Sequence, residues 1–190
     1  MNNKLFTNKD ILDMLQPETD LERALALAPD MQTGFLWGEP RYGHPEGKVL
    51  FHIVEIFDNI NRISPPLTAD ERLQLRLITL LHDTFKYKED KTEPRDWSKN
   101  HGMLARQFAE KYITDETILT VIELHDEAYY CWKLETQQSQ TIVAEARLEW
   151  LLGRLGDGLQ LFYLFFKCDT ATGDKTQAPV KWFEKKFFLA

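Results

Sequence analysis

The sequence holds five histidines, and four of them stand where a divalent metal could use them: His52, His82 followed by Asp83, His101, and His125 followed by Asp126, with Asp169 as a candidate last carboxylate. Imidazole and carboxylate are the side chains that hold divalent ions at neutral pH. If they converge, the chemistry is metal-dependent hydrolysis or oxidation. The bland alternative is a set of separately satisfied buried histidines. It asks every ring to face inward by accident, and it ranks below the metal reading.

Helical periodicity decides which way these residues point. In the stretch 48–62, Val49, Ile53, Ile56 and Ile60 recur at three- and four-residue intervals, Leu50, Val54 and Phe57 widen the arc, and His52 lies at its edge. The stretch ending in His82-Asp83 is apolar nearly all round, so it is expected to be central and to deliver the doublet from the core. His101 heads a row continued by Leu104, Phe108 and Tyr112, and His125 ends a row with Ile118, Val121 and Ile122. Asp169 falls on the row of Phe162 and Phe165, where a buried carboxylate without a cation would be costly.

The elements that must position them read as helices from end to end. Strand-like alternation is scarce, and there is no Asn-Gly hairpin and no Gly-rich phosphate loop. Helices are expected over 10–16, 17–27 and 48–62. A fourth opens on the capping-box spacing Thr68-Ala69-Asp70-Glu71 and runs into His82-Asp83. Ser98 or Asn100 caps one through Tyr112, and Thr114 or Asp115 caps another through about Tyr130. A polar interval at 136–141 precedes the last large helices, with a break or bend at Gly153 and Gly156-Asp157-Gly158. The stretches 29–47 and 86–100 read as exposed loops. Trp150, Phe162, Phe165 and Phe166 read as core, while Trp182, Phe183, Phe187 and Phe188 are apolar residues that could dock on the domain or on another copy in a homo-oligomer.

With 190 residues and 43% hydrophobic content, the chain can form a single all-α domain over 1–190: a compact helical bundle with a metal-site core at about 44–175 and short helical extensions at each end. A net charge of −7 argues against extended nucleic acid as a partner and leaves a small anionic, phosphate-containing substrate. The first residues lack a signal-peptide pattern and no apolar run is long enough to cross a bilayer, so a cytoplasmic protein without a membrane partner is expected. Cys131 and Cys168 read as reduced structural thiols.

His52, His82-Asp83 and Asp169 resemble the H…HD…D signature of the HD-domain superfamily of metal-dependent phosphohydrolases, which have an all-helical fold. The run His82-Asp83-Thr84-Phe85-Lys86 is similar to its HDxxK form, with Phe85 where a small glycine is common. His101 and His125 resemble the H…HD…H…H…D subgroup that binds two metals. The resemblance implies one ion held by His52, His82, Asp83 and Asp169, and a second reached through a bridging Asp83 with His101 and His125. It also implies a metal-activated water as nucleophile, with Asp83 and Lys86 in catalytic positions. The mixed donors suit Mn, Fe, Co, Ni or Zn. Asp126 is read as orienting a histidine or water, and His44, Arg41 and Lys48 as candidates on the substrate side. A phosphohydrolase for a small phosphate ester, such as a nucleotide, is the leading expectation. An HD-fold di-iron oxygenase and a non-catalytic nucleotide-sensing HD domain are the alternatives.

Overall fold

The structure, a computed structural model describing residues 6–187, is all-helical. In chain order the helices are α1 (Asn8–Leu15), α2 (Asp20–Leu27), α3 (Pro29–Phe35), α4 (Val49–Asn61), α5 (Ala69–Leu81), α6 (His101–Ala109), α7 (Glu116–Leu124), α8 (Glu127–Gln137), α9 (Thr141–Leu155), α10 (Leu159–Thr170) and α11 (Ala178–Phe187). Short 3₁₀ turns occur at Lys86–Lys88, Trp97–Lys99 and Gly156–Gly158. Among the described residues, the strand-like pairing is one isolated antiparallel bridge between Arg41 and His44.

The caps set where the helices start. Thr68 accepts from the Glu71 amide at 3.2 Å while the Glu71 carboxylate accepts from the Thr68 amide at 2.8 Å, the reciprocal pair expected from the sequence. Asn100 accepts from the Met103 amide at 2.7 Å, so α6 begins at His101. Asp115 does the same for α7. Each such cap stabilises its helix by about 1 kcal/mol.

Helix α5 is the axis. Leu75, Arg76, Leu77, Ile78, Thr79, Leu80 and Leu81 are all buried, as its all-round apolar pattern requires, and α4, α7 and α10 pack around it. Truncating Ile78, which is fully enclosed, would cost about 2–5 kcal/mol. Arg76 is the exception inside this run. Its guanidinium donates to Glu22 on α2 at 3.1 and 2.8 Å and to the carbonyls of Leu15 and Gln16 at 3.2 and 3.0 Å, and it lies 4.0 Å from the Phe57 ring centroid. The N-terminal helices are thereby tied to α5.

Several expectations need correction. The stretch 29–47 is not all loop: Pro29 opens α3, because proline is pre-organised for a first helical turn. Within α3, a Cβ on Gly34 would lie 1.8 Å from the Thr84 carbonyl oxygen, so the glycine lets α3 lie directly on the turn that carries His82-Asp83. Helix α2 starts at Asp20 under a Thr19 cap rather than at Pro17. Helix α5 stops at Leu81, which puts the doublet in the turn just beyond it. The helix expected through Tyr130 is two helices broken at His125-Asp126, and Gly153 lies inside α9, which ends at Leu155 with Gly156 as its C-cap. Trp150 is 47% exposed rather than core, whereas Phe162, Phe165 and Phe166 are buried. Phe183 is fully buried against Phe162 and Phe166 with ring centroids 5.8 Å apart, so α11 docks on its own domain; Phe188 lies outside the described residues. Both cysteines are buried, and burial pushes each thiol up to about 12. Among the described residues no helix is long and apolar enough to cross a membrane.

Candidate metal centre

Five separate elements deliver the six expected ligands to one place. His52 comes from the first turn of α4, His82 and Asp83 from the turn that follows α5, His101 from the start of α6, His125 from the C-cap of α7, and Asp169 from the last turn of α10. The side chains of His52, His82, Asp83, His101 and His125 are all buried. Asp83 stands between two groups. Its Oδ2 is 3.8 Å from His52 Nε2 and 3.5 Å from His82 Nε2, while its Oδ1 is 3.4 Å from His101 Nε2 and 3.5 Å from His125 Nε2. Asp169 Oδ1 joins the first group at 2.9 Å from His52 Nε2 and 4.0 Å from His82 Nε2. Two constellations, His52–His82–Asp83 and Asp83–His101–His125, each bring their donor atoms within 4.8 Å of one another and share Asp83.

The far nitrogens of the rings explain why the near ones face this way. His82 Nδ1 is 2.9 Å from the Thr79 carbonyl and His125 Nδ1 is 2.9 Å from the Ile122 carbonyl. A carbonyl only accepts, so Nδ1 carries the proton and the Nε2 lone pair is presented to the centre. His52 Nδ1 lies 3.4 Å from Glu46 Oε1, and His101 Nδ1 lies 3.3 Å from Glu89 Oε1. Both contacts fall short of hydrogen-bond geometry, but a carboxylate beside the far nitrogen orients a ligating imidazole and raises its basicity. Neither glutamate was found from the sequence, because each sits in a loop whose burial no periodicity records. A Cβ on Gly102, next to His101, would lie 2.5 Å from the Glu123 carbonyl oxygen, so glycine is what allows α6 to approach α7 and brings His101 to His125. Their Nε2 atoms are 3.1 Å apart.

Phe85, in place of the small residue of the HDxxK pattern, is 3% exposed and packs on Phe108 with centroids 5.0 Å apart, which anchors the turn in the core. Lys86 therefore points back over Asp83, with Nζ 2.5 Å from Oδ2. It is not the solvated lysine that its charged surroundings would suggest. Burial works to raise the Asp83 carboxyl, but Lys86 and His82, with His101 and His125 close by, hold it well below the usual range. Asp169 is held down in the same way by Lys175 and His52. His52 is lowered to about 4 by burial and the Lys175 charge. For His125 burial works downward, yet Asp126 and Asp83 prevail and lift it to about 9.

The centre opens on a cavity of about 390 Å³ whose lining includes Arg41, Tyr42, Asp83, Lys86, Asp126 and Lys175. His44 also lines it and sits 3.0 Å from Glu46 Oε1. Asp126 is nearer than expected for a residue that only orients others: its Oδ2 lies 3.4 Å from His101 Nε2, on the side facing Asp83. Lys48 does not join them. Its ammonium donates to the Leu36 carbonyl at 3.0 Å, which removes it from the substrate side. Glu127 pairs with Arg147 at 2.6 Å, and Asp58 is exposed.

Among the described residues, six of the eight buried polar side-chain atoms without a hydrogen-bond partner gather here: both nitrogens of His52, His82 Nε2, Asp83 Oδ1, His101 Nδ1 and Glu46 Oε2. His52 Nε2 is close to Asp169 but misaligned for a hydrogen bond. Each buried orphan costs about 1–3 kcal/mol unless something engages it. Lone pairs on imidazole and carboxylate, set within coordination reach of one another, fit a divalent metal ion. The family profile described as HD domain matches residues 41–146, more than half of the chain. Comparison with curated proteins and with solved structures gave no match.

Proposed function

The chain belongs to the HD domain family, and on that premise we propose that it is a metal-dependent phosphohydrolase cleaving a small phosphate ester, nucleotides among the candidates. The observation that carries this reading is the placement of Asp83 between two histidine pairs at the floor of a cation-lined cavity. His52, His82, Asp83 and Asp169 would hold one ion, and Asp83, His101 and His125 a second, with Asp126 beside it. The mixed nitrogen and oxygen donors favour Mn, Fe, Co, Ni or Zn over an all-oxygen cage. When bound, such ions supply Lewis acidity and an activated water as nucleophile.

The protein's own residues supply the rest. The Thr79 and Ile122 carbonyls keep the Nε2 lone pairs of His82 and His125 facing inward. Lys86 holds Asp83 in place and sets a positive charge at the cavity floor, where charge develops on a transferring phosphoryl group. The bounded cavity and the acidic chain favour a small substrate over a polymer.

The test is a panel of nucleotides and other phosphate esters assayed with metal-depleted protein and after loading with each of the five metals. Release of inorganic phosphate that requires the metal is expected. No hydrolysis with any metal, together with bound iron and an oxygen-dependent optical change, would replace this reading with oxidative chemistry.

A further inference from the structure

Three cations border the cavity, and they are not equivalent. Lys86 pairs with Asp83 at 2.5 Å, and Lys175 pairs with Asp169 at 2.9 Å. Both ammonium groups are committed to carboxylates of the histidine cluster. Arg41 also lines the cavity, and it borders the narrower pocket containing His52, Asp83 and Lys86, yet among the described residues its guanidinium has no ion pair and no hydrogen bond. Arg41 is exposed, so its charge stays hydrated, and among the described residues it is the cavity cation that no carboxylate of the cluster neutralises.

The backbone around Arg41 is built to hold it there. Arg41 and His44 exchange both backbone hydrogen bonds, at 3.1 and 2.9 Å, closing a tight hairpin that carries Tyr42 at its tip, 87% exposed at the cavity rim. The hairpin is latched to the segment after Asp169. The Gly43 amide donates to Asp174 Oδ1 at 2.6 Å, and a Cβ on Gly173 would lie 2.9 Å from Pro45 and 3.1 Å from the Gly43 carbonyl. That second segment is itself pinned to α4 by the Gly173 amide donating to Glu55 at 2.8 Å. One latch thus fixes the loop bearing Arg41 against the loop bearing Lys175, across the mouth of the cavity.

We infer that this latched hairpin is the substrate-recognition element of the site, that Arg41 grips a terminal phosphate, and that the substrates are phosphomonoesters with a small leaving group seated near Tyr42. The inference rests on the phosphohydrolase reading and narrows it. A planar guanidinium matches phosphate oxygens two at a time, which an ammonium does not. The mouth favours a small leaving group: a diester carries a second ester arm that must pass the latched hairpin, whereas the terminal phosphate of a monoester does not. Asp174 is a positioning residue that acts through the hairpin.

The test uses metal-loaded protein freed of excess metal, with para-nitrophenyl phosphate, bis(para-nitrophenyl) phosphate and inorganic phosphate as probes. Wild type is expected to prefer the monoester. Arg41→Ala is expected to raise its KM by about tenfold or more, with a smaller change in kcat, and to weaken inorganic phosphate binding by a similar factor while metal content stays the same. Arg41→Lys recovers part of the loss. Asp174→Ala raises KM less, and Asp174→Asn, which keeps an accepting oxygen, stays near wild type. Preference for the diester, or monoester turnover with KM and phosphate affinity unchanged in Arg41→Ala, overturns the inference. If no ester of the nucleotide and phosphate-ester panel is cleaved with any metal but inorganic phosphate binds in an Arg41-dependent way, the hydrolase reading fails and the anion site stands; if phosphate binding does not depend on Arg41, the inference falls.

Discussion

Two groups of charged side chains are withdrawn from water in this molecule, and they are finished differently. Around Arg76, Glu22 accepts from the guanidinium through both oxygens, two backbone carbonyls accept from Nη2, Glu18 lies 3.4 Å from Nη1, and Phe57 covers the face. Around Asp83, five elements converge and leave ring nitrogens and carboxylate oxygens buried without hydrogen bonds. Both groups must offset the cost of desolvation. The first does so within the chain and therefore needs no ligand. The second leaves donors that fit a divalent cation, which separates a site from a brace more sharply than burial does.

Breaking each group should expose that difference. The largest effect is expected at Asp83→Ala, which removes the carboxylate common to both constellations: metal is lost and activity falls by at least about a hundredfold, since losing even an outer partner costs 10–100-fold. Circular dichroism should still show a helical protein. Arg76→Ala is expected to do the reverse. It leaves Glu22 buried without its partner and lowers stability by about 3–5 kcal/mol in denaturant unfolding, while metal content per folded chain is unchanged.

Gly34→Ala tests the seam between the two regions. The added methyl meets the Thr84 carbonyl at 1.8 Å, so a loss of about 1–3 kcal/mol is expected with weaker metal retention at the displaced His82-Asp83 turn. Glu89→Gln should act on one side only, lowering metal affinity about 10–100-fold at the His101 position and sparing the ion held with His52. Competition with a chelator reads this directly.

The smallest effect concerns pH in metal-depleted protein. His52, ordinarily near 6.5, is lowered to about 4, so the unfolded chain binds the extra proton and stability falls as pH drops from 6.5 toward 4. His125 is lifted to about 9, so its contribution is present below 6.5 and declines as pH rises toward 9. Thermal melts should show both slopes, and loading with metal should flatten the alkaline one by holding His125 neutral. A metal-loaded protein that keeps the alkaline slope would contradict the assignment of His125.

The same contrast explains what could be read from the chain. Helical rows announced the inward faces of His52, His82, His101 and His125, and the caps at Thr68, Asn100 and Asp115 follow from local chemistry that needs no partner. The HDxxK run and the histidine order pointed to the family over the part the HD profile covers. Hidden were residues whose role depends on what lies across the fold. Nothing in the sequence pairs Glu22 with Arg76; that contact forms only where α2 packs on α5. Glu46 and Glu89 sit in loops, where no period records burial. Arg41 was legible as a cation near the site, but its lack of a carboxylate partner is a property of three dimensions. Lys48 misled for the same reason, since nothing in the sequence shows that it reaches the Leu36 carbonyl. The helix at Pro29–Phe35 was lost to a composition rule, although Pro29 at its first turn and Gly34 against Thr84 are what make it pack.

The central claim, that Asp83 joins two metal positions, is tested most directly by metal stoichiometry. Wild type, His101→Ala and Asp83→Ala should be purified side by side, loaded with one metal and analysed for ion content per chain. About two equivalents in wild type, one in His101→Ala and little or none in Asp83→Ala is the expected series. Full metal retention in Asp83→Ala would contradict it.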